Sequence, residues 1–558
     1  MIEAAEGFLS AEMERKGVPG FSAAVVKGRE IVWAKGFGYA SVEEEVPASP
    51  GTVFRVASVS KPVIATGLLQ WLDRGKFRLD DPVNGVMEDM KIRTGFKEEL
   101  TVRNLLTHTS GLPVHVDPVF FDLGETITLE ELIRGSAIAV RPPNEEIVYS
   151  NTAFNIIGYL VGMFAGEPYP EYVKESLFDP LDMRSSAFEQ TPEIRKLMAQ
   201  PYSRKKAEEP LEAVRPWYGA SIPEKPCGSL FTTATDLGHF LVAQMNGGRY
   251  NGRKILKKET VDEMHRLQAG AGASRSGYAL AWKRTWHHGR PMLSHTGGNL
   301  GWTAHVAFYP ELKVGIAILC NLNDNSGWRP PARQALHLLV GGTLSFETEE
   351  FRRDDAQKRW GNLAGTYARQ FQKAEIRVEE GNLILARGSE KAYLEELEAS
   401  RYTVHGTGID GAELTFEFDD HGTAKQFDLE TEVFPREAEE RRPVDGKADL
   451  RGTWQGEFVT PYGYFTMDLR VEGPTEGHCT DLSGNMVPLQ DFEARAGLVT
   501  GRFRFKNLPG YVGWGAEWYD ATLSLSAMEG GLEGYMALKS EIGESKVPLR
   551  LSKIRSTP

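Results

Sequence analysis

The chain of 558 residues holds only three cysteines. Cys227, Cys320 and Cys479 lie far apart, match no metal-ligand spacing and make a disulfide framework an unattractive reading. Long apolar runs are missing too: the best, Ile156 to Gly166, is far short of the ~20 residues a membrane span needs. The first residues, Met-Ile-Glu-Ala-Ala-Glu-Gly-Phe-Leu-Ser, have neither the positive n-region nor the apolar h-region of a signal peptide. A cytoplasmic protein is therefore expected, with a processed or secreted form left open. Positive charge is the scarcer sign, 64 Lys and Arg against 77 Asp and Glu, and the net charge of −13 argues against a nucleic-acid-binding surface. Gly-x-Ser-x-Gly is absent, which argues against the nucleophile elbow of α/β-hydrolases. His287-His288 reads as a surface-like pair with no ligand partners nearby, so no metal and no cofactor is expected.

What is present is a soluble globular composition, 41% hydrophobic and 25% charged, on a chain longer than one ordinary core. Its centre is the stretch Phe54-Arg-Val-Ala-Ser58-Val-Ser-Lys61, followed by Val63, Ile64, Leu68, Leu69 and Leu72 at the spacing of a buried helix. Lys61 falls about one turn after Ser58, where the two side chains share a face. Serine needs an adjacent base to become a nucleophile. A helix start also presents free N–H groups to developing negative charge. Ser58 as a simple helix cap is the competing reading. A second Ser-x-x-Lys, Ser203-Arg-Lys-Lys206, has no apolar helix behind it and reads as a solvated loop.

Two further stretches carry chemistry. Tyr149-Ser150-Asn151 precedes a helix; its phenol can hand on protons and its amide can both donate and accept. A core tyrosine followed by a capping Asn151 is the alternative. His295-Thr-Gly-Gly298 sits at a late strand, where glycines let another backbone approach. The N–H of Gly298 would join that of Ser58 in an oxyanion hole. A glycine-rich turn with a surface histidine is the alternative there. His108, in Thr-His-Thr-Ser-Gly, reads as structural at a helix-to-turn junction.

In order, the pattern predicts a helix over 2–16, a hairpin of Phe21 to Val26 with Ile31 to Tyr39, and the Ser58 helix. A mostly helical insert follows to about 270. Strands return at Ala279 to Trp282, Met292 to Ser294, Ala304 to Tyr309 and Val314 to Cys320, and a helix over Ala332 to Val340 closes the segment. The simplest assembly is one antiparallel sheet flanked by helices, with the insert beside it and a cleft between. After the charged stretch Glu349 to Lys358 come short alternating strands and glycine turns, split by a second charged stretch, Arg436 to Asp449. Leu363-Ala-Gly-Thr-Tyr367 and Leu450-Arg-Gly-Thr-Trp454 open the two halves alike, which reads as an internal duplication of small antiparallel barrels.

Taken together, Ser58-x-x-Lys61, Tyr149-x-Asn151 and His295-x-Gly297 resemble the serine hydrolase family of class C β-lactamases, D-Ala-D-Ala carboxypeptidases, family VIII esterases and D-aminopeptidases. Thr101-Val-Arg-Asn-Leu-Leu-Thr-His-Thr-Ser-Gly-Leu-Pro113, Pro226-Cys-Gly-Ser-Leu-Phe-Thr-Thr-Ala-Thr-Asp236 and Gly-Trp-Thr-Ala-His-Val-Ala-Phe-Tyr-Pro310 resemble it as well. The resemblance covers roughly residues 1–345 and implies a penicillin-binding-protein-like transpeptidase fold. It implies Ser58 as nucleophile, Lys61 and Tyr149 as its proton-transfer partners, Asn151, His295 and Gly297 on the substrate, and Ser58 and Gly298 N–H as oxyanion donors. His295 stands where β-lactamases and carboxypeptidases usually carry lysine, which disfavours carboxylate recognition.

The tail resembles D-aminopeptidases of this family, which carry two lipocalin-like barrels. The domains expected are a hydrolase at 1–345 and barrels at 346–446 and 447–558. A loop of the last barrel, with Asn507 to Trp518 the candidate, would shape the cleft. The expected function is a serine hydrolase cleaving a small amide or peptide through an acyl-serine, foremost a D-stereospecific aminopeptidase. A carboxylesterase, a DD-carboxypeptidase or β-lactamase, and a catalytically silent binding or assembly protein are the alternatives. A homo-oligomer is left open.

Overall fold

The computed structural model describes residues 1–342 apart from 88, 95, 113–127, 138, 140–141, 205–208, 215–225, 271–273, 300 and 325–330, and residues 360–553 apart from 370–371, 389, 399, 407–408, 420, 431, 437–449, 461–462, 481–485, 496–497, 507–517, 529–530 and 541–542. Both expected domain boundaries, the stretch Glu349 to Lys358 and the candidate loop from Asn507 as far as residue 517 lie outside the described residues.

A nine-stranded sheet, antiparallel at every pairing, organises the first part. The early hairpin of Gly20–Lys27 and Glu30–Ser41 joins the late strand Val314–Cys320, with Phe21 opposite Cys320 and Lys27 opposite Val314. Period-2 alternation then feeds two cores. Ala24 and Val26 face the Ser58 helix and helix Ala234–Met245, while Ala23 and Val25 face Ile2–Lys16 and Ala332–Leu339. Covering both faces explains why Gly20–Lys27 is buried along nearly its whole length.

Helix Ser60–Asp73 is apolar nearly all round and sinks into the larger core, with Val63, Ile64, Leu68 and Leu69 fully buried. It packs on helix Asn151–Ala165, whose N-terminal N–H groups are capped by Ser150: its hydroxyl accepts from Ala153 N at 3.1 Å. The capping duty belongs to Ser150 rather than Asn151, which decides one alternative left by the sequence.

Three local expectations are corrected. Ala279 to Trp282 is a buried turn between strands Gly277–Tyr278 and Lys283–His287. Its backbone is satisfied without a ladder: Ala281 N donates to Leu106 O at 2.7 Å and Leu280 N to Met264 O at 3.1 Å. Ser203 belongs to strand Tyr202–Arg204, parallel to Leu322–Asp324, and the Arg204 guanidinium is buried against the carbonyls of Lys16 and Gly17. His287, read as a surface residue, is 1% exposed and lies where the first barrel docks.

The described strands after residue 360 form two meanders. The eight from Gly365–Arg369 to Glu432–Pro435 pair in sequence order, and a bridge from Tyr367 to Arg436 brings the first strand to the last. The nine from Gly452–Thr460 to Gly543–Lys553 pair first with last directly, and their order breaks instead between Met486–Pro488 and Gln490–Arg495. At the start of each meander an aromatic side chain donates to the carbonyl four residues earlier: Tyr367 OH to Leu363 O at 2.6 Å, Trp454 Nε1 to Leu450 O at 2.9 Å. The repeated motif thus makes the same anchor twice.

The first barrel grips the sheet through buried charge. Glu430 receives both Lys283 Nζ, at 2.7 Å, and the Arg333 guanidinium. Arg275 pairs with Glu413, and His288 N donates to Gly411 O at 2.9 Å. The His288 and His337 rings stack 3.6 Å apart.

Candidate active site

Ser58 lies in a single 3₁₀ turn, Ala57–Val59, running into helix Ser60–Asp73. Ala57 just before it has φ of 45°, an uncommon left-handed backbone for an alanine. Ser60 locks the turn: its hydroxyl donates to Ala57 O at 2.6 Å and accepts from Leu230 N at 3.0 Å. Sequence reasoning missed this role of Ser60, whose only signal was its place inside the motif.

Lys61 is fully buried, and its ammonium nitrogen makes three contacts: Ser58 Oγ at 3.0 Å, Asn151 Oδ1 at 2.6 Å and Cys227 O at 2.9 Å. All three acceptors are neutral. Burial therefore pushes Lys61 down to about 8. The Cys227 carbonyl is a second residue unclaimed beforehand, although it sits inside the Pro226-Cys-Gly-Ser stretch.

The Tyr149 side chain lies beside Ser58, and Lys61 Nζ is 4.8 Å from the centre of its ring. Burial raises its phenol well above the usual value, so it keeps its proton.

Strand Arg290–Asn299 forms the opposite wall. One neighbour, Lys283–His287, stops pairing at Ser294, whereas the other, Trp302–Tyr309, continues to Asn299. His295 to Asn299 thus shows one edge without a strand partner among the described residues. Gly297 fits that edge against the Ser58 turn: a Cβ there would lie 2.0 Å from Val56 O and 3.0 Å from Ser58 N. This glycine is required by the approach of two backbones. Gly298 meets nothing within 4 Å and is exposed.

His295 is buried with its ring 6.4 Å from that of Tyr149. Its Nδ1 is 2.8 Å from Thr296 O, so Nδ1 carries the proton and Nε2 keeps a lone pair. Burial and the nearby Lys61 push it down to about 3, and the ring is neutral. The structure therefore brings Ser58, Lys61, Tyr149, Asn151 and His295 together, with Gly297 beneath Ser58. Among the described residues no group of three His, Cys, Asp or Glu side chains could hold a metal ion.

The family model described as Beta-lactamase matches residues 5–340. Protein flp of Staphylococcus aureus (strain N315) is 26% identical over 320 residues, which span 56% of this chain and 61% of that protein. The chain thus spans about three-fifths of the length of the curated relatives it matches. Among solved structures, the octameric penicillin-binding protein homologue from Pyrococcus abyssi is 26% identical, with 78% of this chain and 99% of that one covered at a TM-score of 0.55. The D-amino acid amidase from Ochrobactrum anthropi SV3 is 23% identical, with 61% of this chain and 99% of that one covered at a TM-score of 0.52, a likeness of fold. With the family model matching more than half of its length over the whole Ser58 region, this chain belongs to the β-lactamase family.

Proposed function

We propose that this chain is a serine hydrolase that cleaves a small amide or peptide through an acyl-serine intermediate, and that its preferred substrate carries a free amine on a D-residue. The observation that carries the reading is Lys61: buried, 3.0 Å from Ser58 Oγ, and surrounded by neutral acceptors that leave it easily deprotonated. Neutral Lys61 takes the Ser58 proton as Oγ attacks the substrate carbonyl. The backbone N–H groups of Ser58 and Gly298 receive the oxyanion. Tyr149, held protonated, passes a proton to the departing amine, and water then releases the acyl group by the reverse relay.

The substrate class follows from His295. A neutral ring with an Nε2 lone pair accepts from an amine or amide and attracts a carboxylate little, which sets the site apart from a β-lactam or C-terminal D-Ala pocket. The D-amino acid amidase shows that this fold accommodates amide chemistry in another protein. Assembly into a homo-oligomer is part of the proposal, the P. abyssi homologue being octameric.

The test is labelling with a fluorophosphonate, expected in the intact protein and lost in Ser58→Ala; equal labelling of both sinks the assignment. Turnover of D-alanine anilide well above L-alanine anilide and a short nitrophenyl ester supports the aminopeptidase reading, whereas the ester alone turning over makes it an esterase. Absence of any Ser58-dependent rate across that panel favours a binding protein.

A further inference from the structure

His108 lies outside the relay just described, yet it touches Tyr149 and holds the residues on either side of it. It closes helix Val102–Thr107 in the left-handed conformation, with φ of 59°, and is fully buried. Its carbonyl accepts from Val148 N at 2.8 Å, and its ring Nδ1 accepts from Ser150 N at 3.0 Å. These two bonds hold the backbone on either side of Tyr149. The imidazole itself stacks on the phenol ring, centroids 4.4 Å apart at 29°.

The tautomer follows from the contacts. Nδ1 accepts a backbone N–H, so the proton of the neutral ring sits on Nε2. That Nε2–H is buried and finds no acceptor among the described residues. Phenylalanine would stack equally well and would bury no unpaired Nε2–H. The imidazole brings one thing phenylalanine lacks, the Nδ1 acceptor under Ser150. Around the ring stand Tyr149, Phe154 and Tyr278, with Lys61 and His295 the titratable groups near enough to oppose a charge on it. Protonation would turn Nδ1 into a donor facing another donor, and burial together with Lys61 holds the ring well below its ordinary value.

We propose that His108 is a positioning residue for proton transfer: as a neutral plate and latch it fixes the Tyr149 phenol against Ser58, and the relay depends on its Nδ1 acceptor. This rests on the serine hydrolase reading above. Misplacing a reacting group by about 1 Å costs on the order of 10²-fold in rate.

The experiment measures the maximal rate and half-saturating concentration of D-alanine anilide turnover in the full chain, whose amine leaving group needs the Tyr149 proton, with thermal melting and fluorophosphonate labelling of Ser58 alongside. Three substitutions separate the contributions. His108→Asn keeps an acceptor near the Nδ1 position and tolerates the left-handed backbone; His108→Phe keeps the ring without the acceptor; His108→Ala keeps neither. The expected result is a maximal rate about 10²-fold lower in the alanine and phenylalanine variants, a half-saturating concentration unchanged within about threefold, and an asparagine variant at least tenfold faster than the phenylalanine one. Phenylalanine equal to or faster than asparagine overturns the proposal, and so do wild-type rates in all three. If the alanine variant does not fold, the other pair decides. Labelling that does not depend on Ser58 in the unmodified chain would instead bring down the hydrolase reading itself.

Discussion

Two buried cationic sites in this molecule differ in one respect, the charge of what surrounds them. At the barrel junction, Lys283 and Arg333 converge on the Glu430 carboxylate, and these two cations hold Glu430 well below the usual carboxylate range against the opposing effect of burial. In the cleft, Lys61 has the same number of close contacts as a well-paired ammonium, but they are a hydroxyl, an amide oxygen and a backbone carbonyl. Among the described residues no carboxylate reaches it. Burial with a counter-charge makes a clamp that stays ionised. Burial without one makes a lysine that gives up its proton near physiological pH, which is what a base beside Ser58 requires.

The comparison can be broken most severely at the cleft. Ser58→Ala or Lys61→Ala removes nucleophile or base, and turnover is expected to fall by about four to six orders of magnitude, measured as kcat/KM on the anilide. Asn151→Asp would make the cleft resemble the junction by setting a carboxylate where Asn151 Oδ1 now lies 2.6 Å from Lys61 Nζ. In the unmodified protein the rate should climb with pH through about 8, as Lys61 loses its proton. In Asn151→Asp that rise should move up by about 1–3 pH units, with activity at neutral pH lost in proportion. The converse change, Glu430→Gln, leaves Lys283 and Arg333 buried without their anion and should cost about 3–5 kcal/mol in denaturant unfolding.

The smallest effect concerns acid. His288, pushed down to about 4 by burial and by His337, refuses a proton that the unfolded chain accepts near 6.5. The unfolded state binds more protons in that window, so the melting temperature should fall as pH drops from about 6.5 to about 4. Glu430 acts in the same direction further down: its contribution is complete above the ordinary glutamate value and is lost as pH falls through its depressed one. His288→Phe should flatten the upper part of that curve, and an unchanged slope would remove His288 from the account.

Much of this was legible because it is local. Ser58 and Lys61 share a face by helical spacing, the early hairpin follows from two strand-like runs joined through Lys27-Gly28-Arg29-Glu30, and the motif that ends in Tyr367 and again in Trp454 is only five residues long. Ala279 to Trp282 was misread because an apolar run looks alike in a strand and in a buried turn; Leu106 and Met264, distant in sequence, supply the acceptors that permit the turn. His287 and His288 looked exposed because the barrel that covers them lies more than a hundred residues further on.

The sequence by itself determined which chemistry is available: a serine, a lysine one turn later, a tyrosine and an asparagine two apart, and a histidine two residues before a glycine. Only the tertiary structure decided which state each group holds. Lys61 is pushed down to about 8 because distant segments of the chain bury it, and Asn151 and Cys227, which it reaches there, bring no counter-charge. Solvation and the charge of neighbours set a protonation state, and neither exists until distant segments meet.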